Sequence, residues 1–348
     1  LLARPGEAIY NDSNGAVEGN NPFQAAWVSD ETRDAELIKI AQLAKDRGFE
    51  PPDRQIVFEG NVPADVDLNH LLNKLLQSES WPEEPKSVMA WLGDAIAIKD
   101  PTSAVFRRQS GSNLMVVGQR DEAALAMLVM SIIGIAAQHA PDRAKFYIMD
   151  GSPADSPGAG YLASLSNILP HEIVNVDWRE VEDRFAEIGA ECERRQAEDD
   201  TTAPAIYLII FGLQRYRMLR QSDDFSFSMD AESKTGPDKH FANILREGPV
   251  FGIHCLLWGD TLTNLERVVD RSSLREIDHR ALFQRSAQDS TNLIDTPAAS
   301  KMGMQRALLF NEEHGQSEKF RPYALPQEHW LETVKQQLES RSQTVQES

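Results

Sequence analysis

From about residue 91 onward, short apolar runs alternate with longer segments of helical periodicity. The runs 94-DAIAIK-99, 113-NLMVVG-118, 145-KFYIMD-150, 172-EIVNVD-177, 205-AIYLIIFG-212 and 251-FGIHCLLW-258 predict strands, with two more near 280–285 and 306–310. Helices are predicted between them at 121–138, 178–198 and 238–247. Near-continuous apolar strands separated by helices indicate a parallel sheet covered on both faces. The expected fold is α/β, in three layers, of a nucleotide-binding type. In the helix at 178–198, Val181, Phe185, Ile188 and Cys192 form one apolar stripe, and Asp177 with Glu180 has the spacing of a capping box.

The N-terminal part has a different rhythm. Residues 1–33 are rich in Gly, Asn, Asp and Pro and read as an extended lead-in with one strand near 23–28. In 34–48, Leu37, Ile40, Leu43 and Ala44 recur at helical spacing, Asp34 is placed to cap the start, and Gly48 with Pro51 and Pro52 stops the run. A strand at 55–60 and a helix at 67–77 capped by Asp67 complete a small α/β adaptor over 34–90. The polar stretch 221–237 has little periodicity and is expected to be a mobile insert in a domain spanning 91–325. A helix near 327–340, within the C-terminal segment 326–348, is expected to pack near the sheet edge or onto a neighbour.

Composition narrows this picture. No run of about 18 apolar residues stands out as a membrane segment, and the opening LLARPGEAIY is neither a signal peptide nor a start with Met. A domain cut from a longer cytoplasmic polypeptide is expected. The net charge of −19, from 54 acidic and 35 basic residues, repels nucleic acid at long range but leaves room for a local basic patch. Arg107, Arg108 and the run 215-RYRMLR-220 are the candidates for phosphate contacts, although helix-surface or salt-bridge roles suit them better. Cys192 and Cys255 have no metal-type spacing and read as core filler, His171 and His254 read as hydrogen-bonded structural residues, and no metal site is expected.

The candidate chemistry lies at 116-VVGQRDEAALAMLVMSII-133, a strand, a glycine, a polar turn and a long helix. A phosphate-binding loop, G-x-x-x-x-G-K-[S/T], uses glycines to aim backbone N–H groups, a Lys to neutralise charge and a hydroxyl to hold Mg²⁺. Laid on Gly118-Gln119-Arg120-Asp121-Glu122, the pattern asks for Gly, Lys and Ser or Thr next; the chain has Ala123, Ala124 and Leu125. Asp121 and Glu122 place carboxylates where a phosphate would sit, at the positive end of the helix dipole, and are expected to cap that helix. A second absence matches the first. The strand 206-IYLIIFGLQ-214 ends in Phe211, Gly212, Leu213 and Gln214, with no acid for a metal.

Four blocks, in order, resemble the FtsK/SpoIIIE/HerA motor family, including the tandem ATPase modules of the type VII secretion protein EccC. They are Asp150 at a strand end, 170-PHEIVNV with His171 followed by 191-ECERRQ-196 with Glu193, Arg194 and Arg195, then 252-GIHCLLWGD-260 with Gly252, His254 and Asp260. The fourth is 280-RALFQRSAQDSTNLIDTPAASKMG-303, matching at Arg280, Ser286, Asp289, Ser290, Asp295, Ala299 and Gly303. The resemblance covers roughly 90–325 and implies a RecA-like P-loop NTPase fold. More weakly, 5-PGEAIY-10 before 22-PFQAAW-27 is similar to connectors between EccC modules.

The departures also form a pattern. The family's P-loop Lys and Ser/Thr fall at Ala124 and Leu125, its Walker B acids near Phe211 and Gly212, its sensor Gln at Asp260, and the basic residue after Asp150 is Gly151. A catalytically degenerate module is expected, with no catalytic residue and no cofactor, working in assembly or regulation beside other ATPase modules of its own or a neighbouring chain, in an oligomer. The alternatives are an active motor that uses ATP and Mg²⁺ through atypical or partner-supplied residues, and a nucleotide-free binding module for DNA or a translocated protein.

Overall fold

The structure, a computed structural model, describes residues 2, 4–11, 20–49, 62–83, 85–221 and 235–346. It divides into two compact units, residues 1–59 and 60–348. In the first, β1 (Glu7–Asn11) pairs antiparallel with β2 (Asn20–Gln24), so the lead-in holds a hairpin rather than one strand near 23–28. Helix α1 (Asp30–Asp46) begins earlier than its apolar spacing suggested. Ser29, not Asp34, is the cap, its hydroxyl accepting the Thr32 N–H at 3.2 Å, and Gly48 closes the end with φ +63°. No residue of α1 is buried. The strand expected at 55–60 lies outside the described residues, as does most of the 221–237 insert.

The second unit holds α2 (His70–Leu76), β3 (Val88–Ala95), β4 (Thr102–Phe106), β5 (Leu114–Val117), α3 (Asp121–Gln138), β6 (Ala144–Asp150), α4 (Tyr161–Ser164), β7 (Glu172–Asn175) and α5 (Val181–Glu198). It continues with β8 (Ala205–Phe211), α6 (Pro237–Glu247), β9 (Ile253–Gly259), α7 (Leu262–Leu265), α8 (Arg271–Leu274), β10 (His279–Leu282), α9 (Ala287–Ile294), β11 (Ala307–Asn311), β12 (Gln316–Pro322) and α10 (Glu328–Gln346). The ten strands form one sheet in the order β4-β3-β12-β11-β10-β5-β9-β8-β6-β7. Every pairing from β10 to β7 is parallel and every pairing from β4 to β10 is antiparallel.

Two apolar clusters cover the two faces. Leu114, Val116, Tyr207, Ile209 and Leu256 face α2, α3 and α10, whereas Met115, Val117, Leu208, Cys255 and Leu257 face α5, α6 and α9. This is the RecA-like three-layer arrangement. Helix α3 is the central element of one layer, buried from Ala124 to Gln138. Its 18 residues, at a hydropathy of 1.5, are long and apolar enough to cross a membrane, contrary to the reading that no such run exists; 83% of the segment is buried inside the protein. The apolar stripe of α5 holds as expected, with Val181, Phe185, Ile188 and Cys192 buried.

Several boundaries differ, for local reasons. The strand expected at 94–99 shares only Asp94 and Ala95 with β3, and at Gly93 that strand meets the Arg321 and Pro322 backbone of β12 so closely that a Cβ there would lie 2.0 Å from a carbonyl oxygen. Strands β4 and β12 lack a continuous apolar run; β12 reads QSEKFRP, and its buried Arg321 is paired with Asp94 at 3.3 Å. Asp67 does not cap α2. Asn69 does, accepting the Leu72 N–H at 3.0 Å, and α2 packs onto α3 within the large unit. Asp177 and Glu180 make no capping box, since α5 starts at Val181 and Asp177 accepts the Arg179 N–H at 3.0 Å in the turn before it. Helix α10 lies against α2 and α3. There the buried Arg341 donates to the carbonyls of Leu75, Ser78 and Ala137, close to the ends of those two helices, and covers the Trp81 ring at 4.6 Å. Helix C-termini carry partial negative charge, which suits a buried cation.

Candidate functional site

Strand β9 separates β5 from β8, so the C-terminal ends of these three strands and of β6 converge on one crevice beside the first turn of α3. Open α/β sheets bind ligands at such strand ends. The turn entering α3 starts at Gly118, held at φ +151°; a Cβ would come within 2.6 Å of the Phe283 ring, so glycine is required. Its polar groups are already engaged. The Gly118 N–H donates to the Gly259 carbonyl at 3.0 Å, and its own carbonyl accepts the Trp258 indole N–H at 3.0 Å.

Aromatic rings fill the floor. Trp258, at the end of β9, stacks on Phe211, at the end of β8, with centroids 4.2 Å apart and planes 24° apart. Phe211, Trp258 and Phe283 are 4%, 7% and 3% exposed. Beyond Phe211 the chain turns through Gly212 at φ +81°, buries Leu213, and leaves the Oε1 of Gln214 buried without a donor. On the neighbouring strand Asp150 sits in register with Phe211, and its carboxylate accepts the Ser152 N–H at 2.9 Å.

At the helix start, Gln119, Asp121 and Glu122 are exposed and Arg120 is half-buried, while Ala124 and Leu125 enter the apolar core. The expectation that Asp121 and Glu122 cap α3 does not hold: Asp121 is the first helical residue, and its carboxylate accepts only the adjacent Glu122 N–H, at 3.1 Å. Arg120 is the cap residue and gives no side-chain cap bond. Among the described residues no group of three or more His, Cys, Asp and Glu is placed to hold a metal ion.

The remaining resemblance residues lie away from the crevice floor, mostly in the scaffold. Arg280 is buried and donates to the carbonyls of Ile277, Leu293 and Leu274 at 3.0, 2.8 and 2.8 Å, with Glu312 at 2.8 Å. Ser290 donates to the Thr296 carbonyl at 2.6 Å and accepts the Ala299 N–H at 3.1 Å. Ser286 caps α9 through the Asp289 N–H at 3.0 Å, and Asp295 ends that helix at φ +55°. Arg195 is buried and reaches the Phe251 carbonyl at 2.9 Å and Glu191 at 2.7 Å, and Arg194 pairs with the same Glu191 at 2.8 Å. Those two cations hold the Glu191 carboxyl down to about 2. Glu193 is exposed on the same helix. Asp260 binds the Thr261 N–H at 2.6 Å and the Asn264 amide at 2.9 Å, fixing the turn into α7.

Gly252, at φ +75°, gives room to Arg108, whose guanidinium would lie 2.4 Å from a Cβ there. Arg108 is turned inward, donating to the Phe251 and Ala203 carbonyls at 3.0 and 2.6 Å. It therefore does not share a patch with 215–220, which follows the opposite end of β8 as two short turns with Tyr216 and Leu219 buried. His171 and His254 are structural as read. They bond the carbonyls of His139 at 2.9 Å and Ser112 at 2.7 Å, and burial lowers each imidazole to about 4. Cys192 and Cys255 are buried free thiols; burial pushes Cys192 up to about 11 and Cys255 up as well, so neither is a ready nucleophile.

No family model and no curated protein matches the chain. Solved structures do. The cytoplasmic domain of the Thermomonospora curvata type VII secretion ATPase EccC matches with a TM-score of 0.54 at 18% identity, over 80% of this chain and 34% of that one. EssC (ATPases 2 and 3) from Geobacillus thermodenitrificans gives 0.54 at 14% identity, over 86% and 53%. The pCW3 conjugation coupling protein TcpA, solved with ATPγS, gives 0.52 at 11%, over 84% and 82%. The chain thus spans about a third of the EccC cytoplasmic domain it matches. Its fold is that of these ATPase domains.

Proposed function

We propose that this chain is a catalytically degenerate FtsK/SpoIIIE/HerA-like ATPase module of a larger cytoplasmic translocase-type protein, serving assembly or regulation beside active modules in an oligomer. The observation that carries this reading is the aromatic floor of the crevice. Phe211, Trp258 and Phe283 occupy the strand ends, and the Gly118 N–H that could turn toward a phosphate is bonded to Gly259.

The residues present do not fit Mg-ATP. No Lys or hydroxyl stands at Ala124 and Leu125, both inside the core, and Asp121 and Glu122 put like charge where phosphates would lie. The acid that could hold Mg²⁺ is missing from the end of β8, and neighbouring Asp150 is tied to its own turn. The inward Arg108 and the charge of −19 also weigh against DNA. The test is Mg-dependent ATP hydrolysis by this chain, alone and within its parent protein. Turnover by the isolated chain would sink the proposal. A DNA titration at low and moderate salt removes the nucleic-acid alternative if nothing binds even at low salt.

A further inference from the structure

The run 215-RYRMLR-220, expected to sit on a helix surface or in salt bridges, does neither. It forms two short turns after β8, and none of its three arginines has an ion pair or a side-chain hydrogen bond among the described residues. Val181, Tyr216, Leu219 and Val268, buried in one apolar cluster, draw three loops together: the turn before α5, the turns after β8 and the segment after α7. Trp178 stacks on Tyr216 with centroids 4.2 Å and planes 18° apart, and the Gln221 N–H donates to the Arg267 carbonyl at 3.1 Å. These contacts gather the exposed Arg179, Arg217 and Arg267 and the half-buried Arg220 beside Trp178, which is 45% exposed. Arg179 and Arg267 are likewise without a side-chain partner among the described residues.

Acids outnumber bases by 54 to 35 in this chain, and Arg184, Arg194, Arg195, Arg246, Arg280 and Arg285 all have a carboxylate partner. Four neighbouring guanidiniums without one gain nothing from the fold, and an external anion would relieve their mutual repulsion. Composition narrows the kind of anion. The patch has no lysine and lies beside Trp178, Tyr216 and Met218, the residue usage of a protein–protein contact centre. A nucleic-acid backbone, charged at every step, would also run along Asp177, Glu180 and Glu266, which are exposed on the same loops. A short carboxylate run can pair with the guanidiniums, two N–H groups to one carboxylate, and leave those acids uncovered. We infer that this face docks an acidic protein segment, a short run of Asp and Glu side chains whose apolar stems pack on Trp178.

The test is a titration of the full chain into fluorescein-labelled octaglutamate, read by anisotropy at low salt, with octathymidylate titrated separately. The chain's charge of −19 repels both probes everywhere else, so diffuse attraction cannot imitate the result. Saturable octaglutamate binding is expected, weakened at least about tenfold by Arg217→Glu with Arg267→Glu, and lost as salt rises. Trp178→Ala should weaken it severalfold. Arg179→Glu, in the exposed turn before α5, should also weaken it and serves where the double variant folds poorly. No saturable binding at low salt, or binding indifferent to all these changes, overturns the docking face. Octathymidylate that binds more tightly than octaglutamate, and is lost in the same variants, overturns the assignment to protein and gives the face to nucleic acid.

Discussion

The crevice at the ends of β5, β9 and β8 and the scaffold around β10 and α9 show opposite outcomes of the same resemblance. Around β10, Arg280, Ser286 and Ser290 match the motor family and each satisfies backbone groups that would otherwise be buried or left open at a helix start. In the crevice, the positions that would hold Mg²⁺ and phosphate carry Phe211, Gly212, Ala124 and Leu125. A buried donor cannot be removed without leaving several carbonyls unmet, so the fold itself maintains the first set. Only chemistry maintains the second. On the proposed reading, likeness to a motor family survives in the parts that build the sheet while the parts that would act on nucleotide differ.

The contrast can be broken by experiment, beginning with the scaffold. Arg280→Ala leaves three buried carbonyls and Glu312 without their partner, and should cost about 3–5 kcal/mol in urea unfolding. A cost under about 1 kcal/mol would remove Arg280 from the scaffold argument.

Acid should act through buried histidines at the other end of the sheet. His139, lowered to about 3, and His171 and His254, each lowered to about 4, are held neutral chiefly by burial. The unfolded chain protonates them near 6.5 and the folded chain does not, so the unfolded state binds more protons in between. Their stabilisation is complete above about pH 6.5 and declines as pH falls toward about 4, by roughly 3 kcal/mol for a single histidine at the lower end. Urea midpoints measured between those pH values check it; a flat profile would contradict the burial of these rings.

Ser290→Ala should cost about 1–2 kcal/mol, measured in the same way, because one hydroxyl serves both Thr296 and Ala299. In the crevice, by contrast, restoring the motif as Ala123→Gly, Ala124→Lys and Leu125→Thr should not restore nucleotide binding, since Phe283 and Trp258 still fill the floor. Calorimetry with Mg-ATP decides that point. The smallest effect is expected at Asp121→Asn, where loss of a charge at the α3 N-terminus should cost about 0.3–1 kcal/mol at low salt and less at high salt.

What could be read from the chain follows the same physics. The parallel strands β5, β6, β8 and β9 are covered on both faces, so their apolar runs were plain in the sequence, and α3 was placed at its observed limits. The antiparallel half was harder. Strands β4 and β12 alternate or carry charge, and the pairing of Arg321 with Asp94 joins residues far apart in the chain. In the candidate site, the missing Lys, hydroxyl and acids were legible as residue types. Their replacement by a packed aromatic floor was not, because Trp258 reaches Gly118 across 140 positions and Phe283 arrives from a third strand. The unmet oxygen of Gln214 likewise has no signature in sequence.

The central claim, that the crevice no longer receives nucleotide, is tested most directly by thermal unfolding with and without Mg-ATP. A ligand at a hundredfold excess over its Kd stabilises the folded state by about 2.7 kcal/mol, which raises the transition of a chain this size by roughly 4 °C. The account predicts an unchanged transition at millimolar Mg-ATP. A rise of that size, lost when EDTA removes the Mg²⁺, would contradict it.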